Sequence, residues 1–398
     1  MAPPLRPPRS ERRVALVLAT MSESCPVDGT RPRLERDGLF LVCRGYSEAV
    51  DVLTDPRMQS NFARYIEGAG ITEGRLWEAA RSGLLSLNGP DHVQARSLVS
   101  ALFTPRAVER VRMLHRVEAE NLADALGDRG PVDFVSDFAN PYTTTGACHF
   151  FGFDPTETES IHDLVLRFAH CARNLPSSLE EFTATANELL DLAESVVDRR
   201  RPDPGHNVIG QFANAVENGE TSLAVAAAQV SALLSAGHEP VTNQLCLMVN
   251  VLAENHHLWD SVADDEAHLV PVLEEVLRHQ GTNMGTTREA TLSFDFGETS
   301  LKDHELVFVS IDDANHDPLR YRHPQQMDPE ANGASHLAFG VGAHYCLGAS
   351  LARLQLQEAL KALTHRFHAP RIVEREFFQS GGLRGLDVLK VELQRRTP

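Results

Sequence analysis

The chain has 398 residues, 42% of them hydrophobic and 23% charged, with 26 glycines and 22 prolines. These proportions exclude a disordered, collagen-like or disulfide-scaffold chain and leave ample apolar material for a large core. A formal net charge of −18 repels polyanions, so nucleic-acid or anionic-membrane binding through bulk charge is not expected.

In chain order, residues 1–21 read as a disordered tail. The short apolar stretch Val14 to Met21 behind Arg12-Arg13 lacks a small-residue cleavage site, and Met21 is an alternative start. No linker divides the rest of the chain, so residues 22–398 read as a single domain. A strand is expected over Gly38–Cys43 and a helix from Thr104-Pro105 to Gly127, with threonine capping and proline at the first helical position. Further helices are expected over Ser178–Arg200, Leu223–Glu254, Asp265–His279 and Ser350–Phe367. Glu289–Phe296 and Glu305–Ile311, rich in β-branched and aromatic residues, read as a hairpin. The fold class is mainly α with a small β-sheet. No apolar run reaches the ~18 residues of a membrane span; Leu223 to Ala236 is interrupted by Gln229 and Ser231. Six scattered cysteines (Cys25, Cys43, Cys148, Cys171, Cys246, Cys346), with no CxxC pair, fit reduced thiols in a cytoplasm.

One cysteine is placed for chemistry. Phe339-Gly340-Val341-Gly342-Ala343-His344-Tyr345-Cys346-Leu347-Gly348 delivers Cys346 through a glycine-rich loop to the start of an amphipathic helix containing Leu351, Leu354, Leu360 and Leu363. The helix dipole and free N–H groups there favour thiolate. Glycines allow close approach of backbone to a flat, bulky group, and soft thiolate ligation suits haem iron.

Taken alone, a cysteine in a glycine loop is more often structural. The whole string, with Ala349-Ser350-Leu351-Ala352-Arg353 after it, closely resembles the haem-binding signature of cytochromes P450. The resemblance implies the cytochrome P450 fold, with haem b between a long distal helix and a proximal cysteine loop. It implies Cys346 as the iron ligand, with Phe339, Gly340 and Gly348 against the cofactor. Glu275 and Arg278, alone an ordinary helix-face ion pair, match the family's structural Glu-x-x-Arg. His92 and Arg96, four apart after Asn88-Gly89-Pro90, match its haem-propionate element, and Arg288 and His344 match the remaining propionate contacts.

Ala236-Gly237-His238-Glu239 resembles the segment of the distal helix where the family does its chemistry, which marks Ala236, Gly237, Glu239 and Pro240 as catalytic-segment candidates. The family usually has threonine after the acid; here Pro240 offers no hydroxyl, and Thr242, two positions on, is expected to face elsewhere. A second departure lies in Met327-Asp328-Pro329-Glu330-Ala331, where the family has an arginine last. Ala331 cannot complete the Glu-x-x-Arg network, and Arg322 is the substitute considered.

The function implied is that of an oxidoreductase using oxygen and two electrons that NAD(P)H supplies only indirectly, through a ferredoxin and a ferredoxin reductase. A ferredoxin would dock near Arg106, Arg110, Arg112 and Arg116, although such a run is also an ordinary solvated face. A cytoplasmic monomer is expected. Alternatives are a peroxide-driven peroxygenase, which Glu239 disfavours because it would repel a fatty-acid carboxylate, and a non-enzymatic haem sensor. Pocket walls are expected from residues 58–87, 175–182 and 282–287. Phe62, Tyr65, Asn283 and Met284 among them suit a compact natural-product scaffold such as an aromatic cyclic dipeptide, oxidised by hydroxylation or by radical C–C or C–N coupling.

Overall fold

The computed structural model describes residues 34–37, 40–127, 130–175, 177–333, 335–380 and 382–396. The expected tail, Cys25 and the first two residues of the Gly38–Cys43 strand lie outside them. The helices, in order, are α1 (Tyr46–Thr54), α2 (Ala63–Gly68), α3 (Arg75–Ser82), α4 (Gly89–Ser100), α5 (Pro105–Val108), α6 (Arg112–Leu126), α7 (Asn140–Phe151) and α8 (Thr158–Arg173). They continue with α9 (Leu179–Arg200), α10 (Val208–Glu217), α11 (Leu223–Glu254), α12 (His256–Asp264), α13 (Leu269–His279), α14 (Ile311–Asn315) and α15 (Ala349–Arg366). The strands are β1 (Leu34–Asp37), β2 (Phe40–Cys43), β3 (Met58–Gln59), β4 (Val132–Asp133), β5 (Gly285–Ala290), β6 (Phe294–Phe296), β7 (Thr299–Leu301), β8 (Leu306–Ser310), β9 (Arg371–Ser380) and β10 (Leu383–Glu392). They form sheets of order β1-β2-β8-β5-β3, β4-β10-β9 and β6-β7. Among the described residues no helix is long and apolar enough to cross a membrane.

Local signals explain most boundaries. Thr104 accepts a bond from the Ala107 N–H with its side chain, at 3.4 Å. The expected single helix is divided, however: α5 passes through a 3₁₀ turn over Glu109–Val111 before α6 begins. Gly127, at φ +56°, ends α6. Asp265 caps a 3₁₀ turn through the Ala267 N–H (2.9 Å), and α13 starts only at Leu269.

The expected hairpin is corrected. β8 pairs with β5 in the register Gly285↔Ser310 and Arg288↔Val307. Residues 294–296 belong instead to the separate β6-β7 hairpin, which turns at Gly297. Gly285 shows why the strand begins early: a Cβ there would lie 2.2 Å from the Phe308 ring, so the aromatic lies on bare backbone. Glycine and threonines at 285–287 gave no strand signal in sequence.

α11 is the axis of the molecule. Every residue from Val241 to Ala253 is buried, whereas the half preceding Val241 has exposed and half-buried positions. α9 packs along one side of it and β10 along another, while α15 packs most heavily on α6.

The Glu275–Arg278 pair lies inside this core. Arg278 donates to both oxygens of Glu275 at 2.7 Å, and both residues are almost wholly buried. Its remaining donors reach the Asn315, Pro324 and Gln326 carbonyls. The network is completed by Asn332, which donates to Glu275 (3.1 Å), His323 O and Gln326 O; the Asp328 N–H is the other donor to Glu275 (2.9 Å). Arg322, the substitute considered from sequence, is exposed and does not fill that place. A buried amide adjacent to Ala331 takes over, because the carboxylate needs donors rather than a second cation once Arg278 neutralises it. Asn332→Ala should therefore cost about 1–3 kcal/mol of unfolding free energy, whereas Arg322→Ala should stay within about 0.5 kcal/mol. Urea denaturation of the two variants measures both.

Candidate functional site

The cysteine loop is held from α13 by the carboxylate next to the buried pair. Glu274 accepts two bonds from Arg353 of α15 at 2.7 and 2.8 Å, with His336 at 3.2 Å on the same carboxylate. Burial would raise its pKa, but Arg353 and His336 outweigh burial and hold it well below the usual range. Arg353 also donates to the Tyr345 hydroxyl (3.2 Å) and stacks 4.4 Å from the Phe339 ring centroid. The chain then doubles back, with the Cys346 N–H donating to Phe339 O at 2.9 Å. Gly342, at φ +78°, has no room for a Cβ, which would approach Leu53 O to 2.9 Å.

Cys346 is exposed, whereas the other described cysteines, Cys43, Cys148, Cys171 and Cys246, are buried. It lies deep in the molecule while keeping accessible surface, as a residue on the wall of an internal space does. Burial raises its thiol pKa, against the Gly348 N–H, Arg96 and Arg353, which lower it. The expected dipole effect is thus present but outweighed, and a thiolate here calls for a cation to pair with. A Cβ on Gly340 or Gly348 would meet nothing within 4 Å, and the same is true of Gly237 on α11. Bare backbone therefore borders open space at both the loop and the long helix.

Four basic side chains from three segments meet beside this space. The rings of His92 (α4) and His344 lie 4.3 Å apart, and Arg96 donates to Tyr345 O at 2.7 Å. Arg288 is 5% exposed and donates only within its own strand, to Thr286 Oγ1 and Thr287 O. Burial lowers the pKa of every one of them, Arg288 to about 10. His344 falls to about 4, first through burial and then through the charges of Arg288, His92 and Arg96. None of the four is paired with a carboxylate among the described residues. A buried guanidinium without a counter-ion is costly, so the cluster fits a dianionic group; the two carboxylates of haem are such a group.

The long helix α11 runs without a break through Pro240. Thr242 faces α7: its hydroxyl donates to His238 O (3.2 Å) and lies 2.7 Å from Thr143 Oγ1. His238 likewise points away, to Thr144 at 2.9 Å. Ala236 is exposed and Gly237 half-buried in the middle of the helix. Glu239 Oε1 is buried, accepts no hydrogen bond and lies 3.5 Å from Arg173 Nε at the end of α8. Arg173 is itself bonded to Asp387 of β10 at 2.6 Å. Burial raises Glu239 to about 7, with Arg173 lowering it and Asp387 raising it further.

Of the expected pocket residues, Tyr65 is close enough to feel Glu239: its hydroxyl pKa is raised by burial and then by that charge. Phe62 stacks on Tyr65 with ring centroids 5.9 Å apart. Asn283 and Met284 lie instead beside the β9–β10 turn, where the Met284 N–H donates to Gly382 O (2.8 Å). Arg173 and Asp387 gave no signal in sequence, being 214 residues apart. The arginine run is only partly available as a docking face. Arg112 and Arg116 both turn inward to Glu358 of α15, leaving Arg106 and Arg110 exposed.

The raised pKa of Glu239 makes stability depend on pH. Between the usual value of 4.5 and about 7 the folded protein keeps a proton that the unfolded chain releases, so stability is lost as pH rises through that window. Glu239→Gln removes this loss. The variant should gain on the unmodified protein by on the order of 1–3 kcal/mol between pH 5 and pH 8, read by denaturant unfolding at the two pH values; a constant difference would contradict the assignment.

Residues 268–375 match the family model for Cytochrome P450. The chain is 30% identical over 340 residues to Cytochrome P450 107B1 of Saccharopolyspora erythraea, covering 82% of each. It is also 30% identical to that organism's Erythromycin C-12 hydroxylase, covering 88% of this chain and 86% of the relative. Among solved structures it superimposes on CalO2 with a TM-score of 0.85 at 23% identity, over 92% and 93% of the two chains. The cysteine loop, the acid-bearing long helix and relatives of this similarity lead to one conclusion: the chain belongs to the cytochrome P450 family, whose cofactor is haem, and is a monooxygenase.

Proposed function

We propose that Cys346 ligates haem iron as thiolate, that His92, Arg96, Arg288 and His344 hold the propionates, and that the enzyme oxidises a natural-product scaffold. The observation that carries this reading is the convergence of four basic groups lacking a carboxylate beside the one exposed cysteine among those described. Phe339, Gly340 and Gly348 would lie against the macrocycle, whose part is to activate oxygen with two electrons. Those electrons come from NAD(P)H through a ferredoxin and its reductase, with Arg106 and Arg110 as the exposed basic contacts. The setting we propose is a cytoplasmic monomer folded as one domain over residues 22–398, with haem b bound.

The proton chemistry falls to Glu239. Pro240 has neither hydroxyl nor N–H, and Thr242 is engaged with α7. Glu239, raised to about 7 by burial, is poised to give and regain a proton near neutral pH, where a general acid works best. Arg173 steadies its charged form. Ordered water and a polar group of the substrate complete the path that the missing hydroxyl leaves open. Ala236 and Gly237 leave room for both on the helix face.

The substrate we favour is a compact aromatic scaffold, such as an aromatic cyclic dipeptide, undergoing hydroxylation or radical C–C or C–N coupling. The stacked Phe62–Tyr65 pair next to Glu239 supports it; Asn283 and Met284, beside the β9–β10 turn, are the further contacts we propose. The erythromycin hydroxylase relative supports natural-product chemistry in general. A peroxygenase using a fatty-acid carboxylate is disfavoured, because Arg173, the cation beside Glu239, is already taken by Asp387.

The reduced carbon-monoxide difference spectrum tests the ligand. A strongly red-shifted Soret band is expected, lost in Cys346→Ala and kept when Cys43, Cys148, Cys171 or Cys246 becomes serine; a globin-like spectrum would exclude Cys346. Arg96→Ala with Arg288→Ala should weaken haem retention by about 2–5 kcal/mol, seen as low haem content on purification.

Coupling tests the proton path. In the unmodified protein, product per NAD(P)H should fall several-fold when the substrate is replaced by an analogue lacking its polar group, and Pro240→Thr should narrow that gap without loss of haem. Equal coupling for both ligands before mutation would rule out substrate assistance.

A further inference from the structure

The wall formed by residues 58–87 is a loop closed at its stem. Asn88 accepts from the Ser60 N–H at 3.0 Å and donates to Ser60 O at 2.8 Å. Ser60 Oγ donates to Leu85 O (2.6 Å), and the Ala63 N–H donates to Ser86 Oγ (3.0 Å). The loop carries Phe62 and Tyr65, so its height over α11 decides how much space lies above Ala236 and Glu239.

Besides the apolar cluster in which Ile71, Leu76 and Ala80 pack with Cys171, Leu175 and Phe182, two hydrogen-bonded contacts tie the outer half of this loop to the rest of the protein. Arg75 reaches Asp191 and Glu194 on α9, but all three are exposed, and such pairs contribute little. The second contact is buried. Gln229 of α11 is 1% exposed; its Nε2 donates to Ser82 O at 2.7 Å and its Oε1 accepts from the Leu84 N–H at 3.3 Å. Ser82 is the last residue of α3, so its carbonyl is one of those a helix leaves without an internal partner. One side-chain amide thus satisfies a carbonyl and an N–H two residues apart, as a neighbouring peptide would. Seven residues separate Gln229 from Ala236, which is two helical turns, about 10 Å, and nearly the same face.

We infer that Gln229 is a specificity-determining positioning residue, clamping residues 82–84 onto the distal face of α11 and so setting the largest ligand the space above Cys346 admits. The inference rests on Cys346 being the haem ligand. Only a carboxamide of this length both donates and accepts here. Leucine would leave the Ser82 carbonyl and the Leu84 N–H unpaired, and glutamate would keep the bond from Leu84 while placing a second acceptor against the Ser82 carbonyl. Either change frees residues 82–84 to move away from α11.

The test uses the full haem-loaded chain, titrated with imidazole and with 4-phenylimidazole and read by the Soret shift. In Gln229→Leu the ratio of the 4-phenylimidazole to the imidazole dissociation constant should fall at least fivefold, while the imidazole constant stays within twofold and the reduced carbon-monoxide band is unchanged. Gln229→Glu should move the ratio in the same direction by a smaller factor above twofold, and it decides the matter if the leucine variant does not fold. Hydrogen exchange at the Leu84 amide should quicken at least tenfold in Gln229→Leu. A merely structural role would lower the melting temperature and leave the ratio within twofold, which would overturn the inference. Absence of the red-shifted reduced carbon-monoxide band in the unmodified protein would overturn the Cys346 assignment and this inference with it, a failure distinguishable from an unchanged ratio.

Discussion

Two adjacent carboxylates on α13 hold the cysteine loop in place. Glu275 turns into the core, where Arg278 and Asn332 fix it to the irregular chain between His323 and Asp328. Glu274 faces the other way and takes Arg353, which in turn orders Tyr345 and Phe339. A buried pair of this kind adds little net stability compared with an apolar substitute, yet removing one partner costs several kcal/mol. Its value here is positional. The stretch from Asn315 to Cys346 has little regular structure beyond one 3₁₀ turn, so side-chain bonds to α13 must do what a backbone ladder does elsewhere.

That rigid support allows the opposite condition a short distance away. His92, Arg96, Arg288 and His344 are brought together with their charges opposed by burial and by one another. Burying Arg96 and Arg288 without a carboxylate partner is unfavourable for the protein alone, and a bound anion would relieve that cost. The cysteine is set against burial in the same way, with burial raising its thiol pKa and the Gly348 N–H, Arg96 and Arg353 lowering it. Arg96 and Arg288 lack a carboxylate partner among the described residues, and this is the complementarity on which the proposed haem site rests.

The distal wall is organised differently. Its acid is held loosely, 3.5 Å from an arginine that prefers Asp387, so Glu239 remains free to titrate. Its roof is held firmly, through the buried amide of Gln229. A firmly bonded segment beside one loosely held titratable group is the combination on which the proposed proton path rests.

The sequence by itself determined what is local or contiguous. The cysteine loop, the cap at Thr104, the full extent of α11 and the neutral side chain at Pro240 are carried by neighbouring residues, because helix signals and loop glycines act over a few positions. Tertiary structure alone decided which distant groups meet. Asn332 rather than Arg322 serves Glu275, Arg112 and Arg116 turn inward to Glu358, β5 begins at Gly285 because Phe308 covers it, and Arg173 finds Asp387 across 214 residues. Each of these contacts is set by the packing of separate elements, and a single sequence carries no periodicity that reports it. The cysteine loop was legible because its residues are contiguous, and contacts were hidden where the fold had to deliver a distant partner.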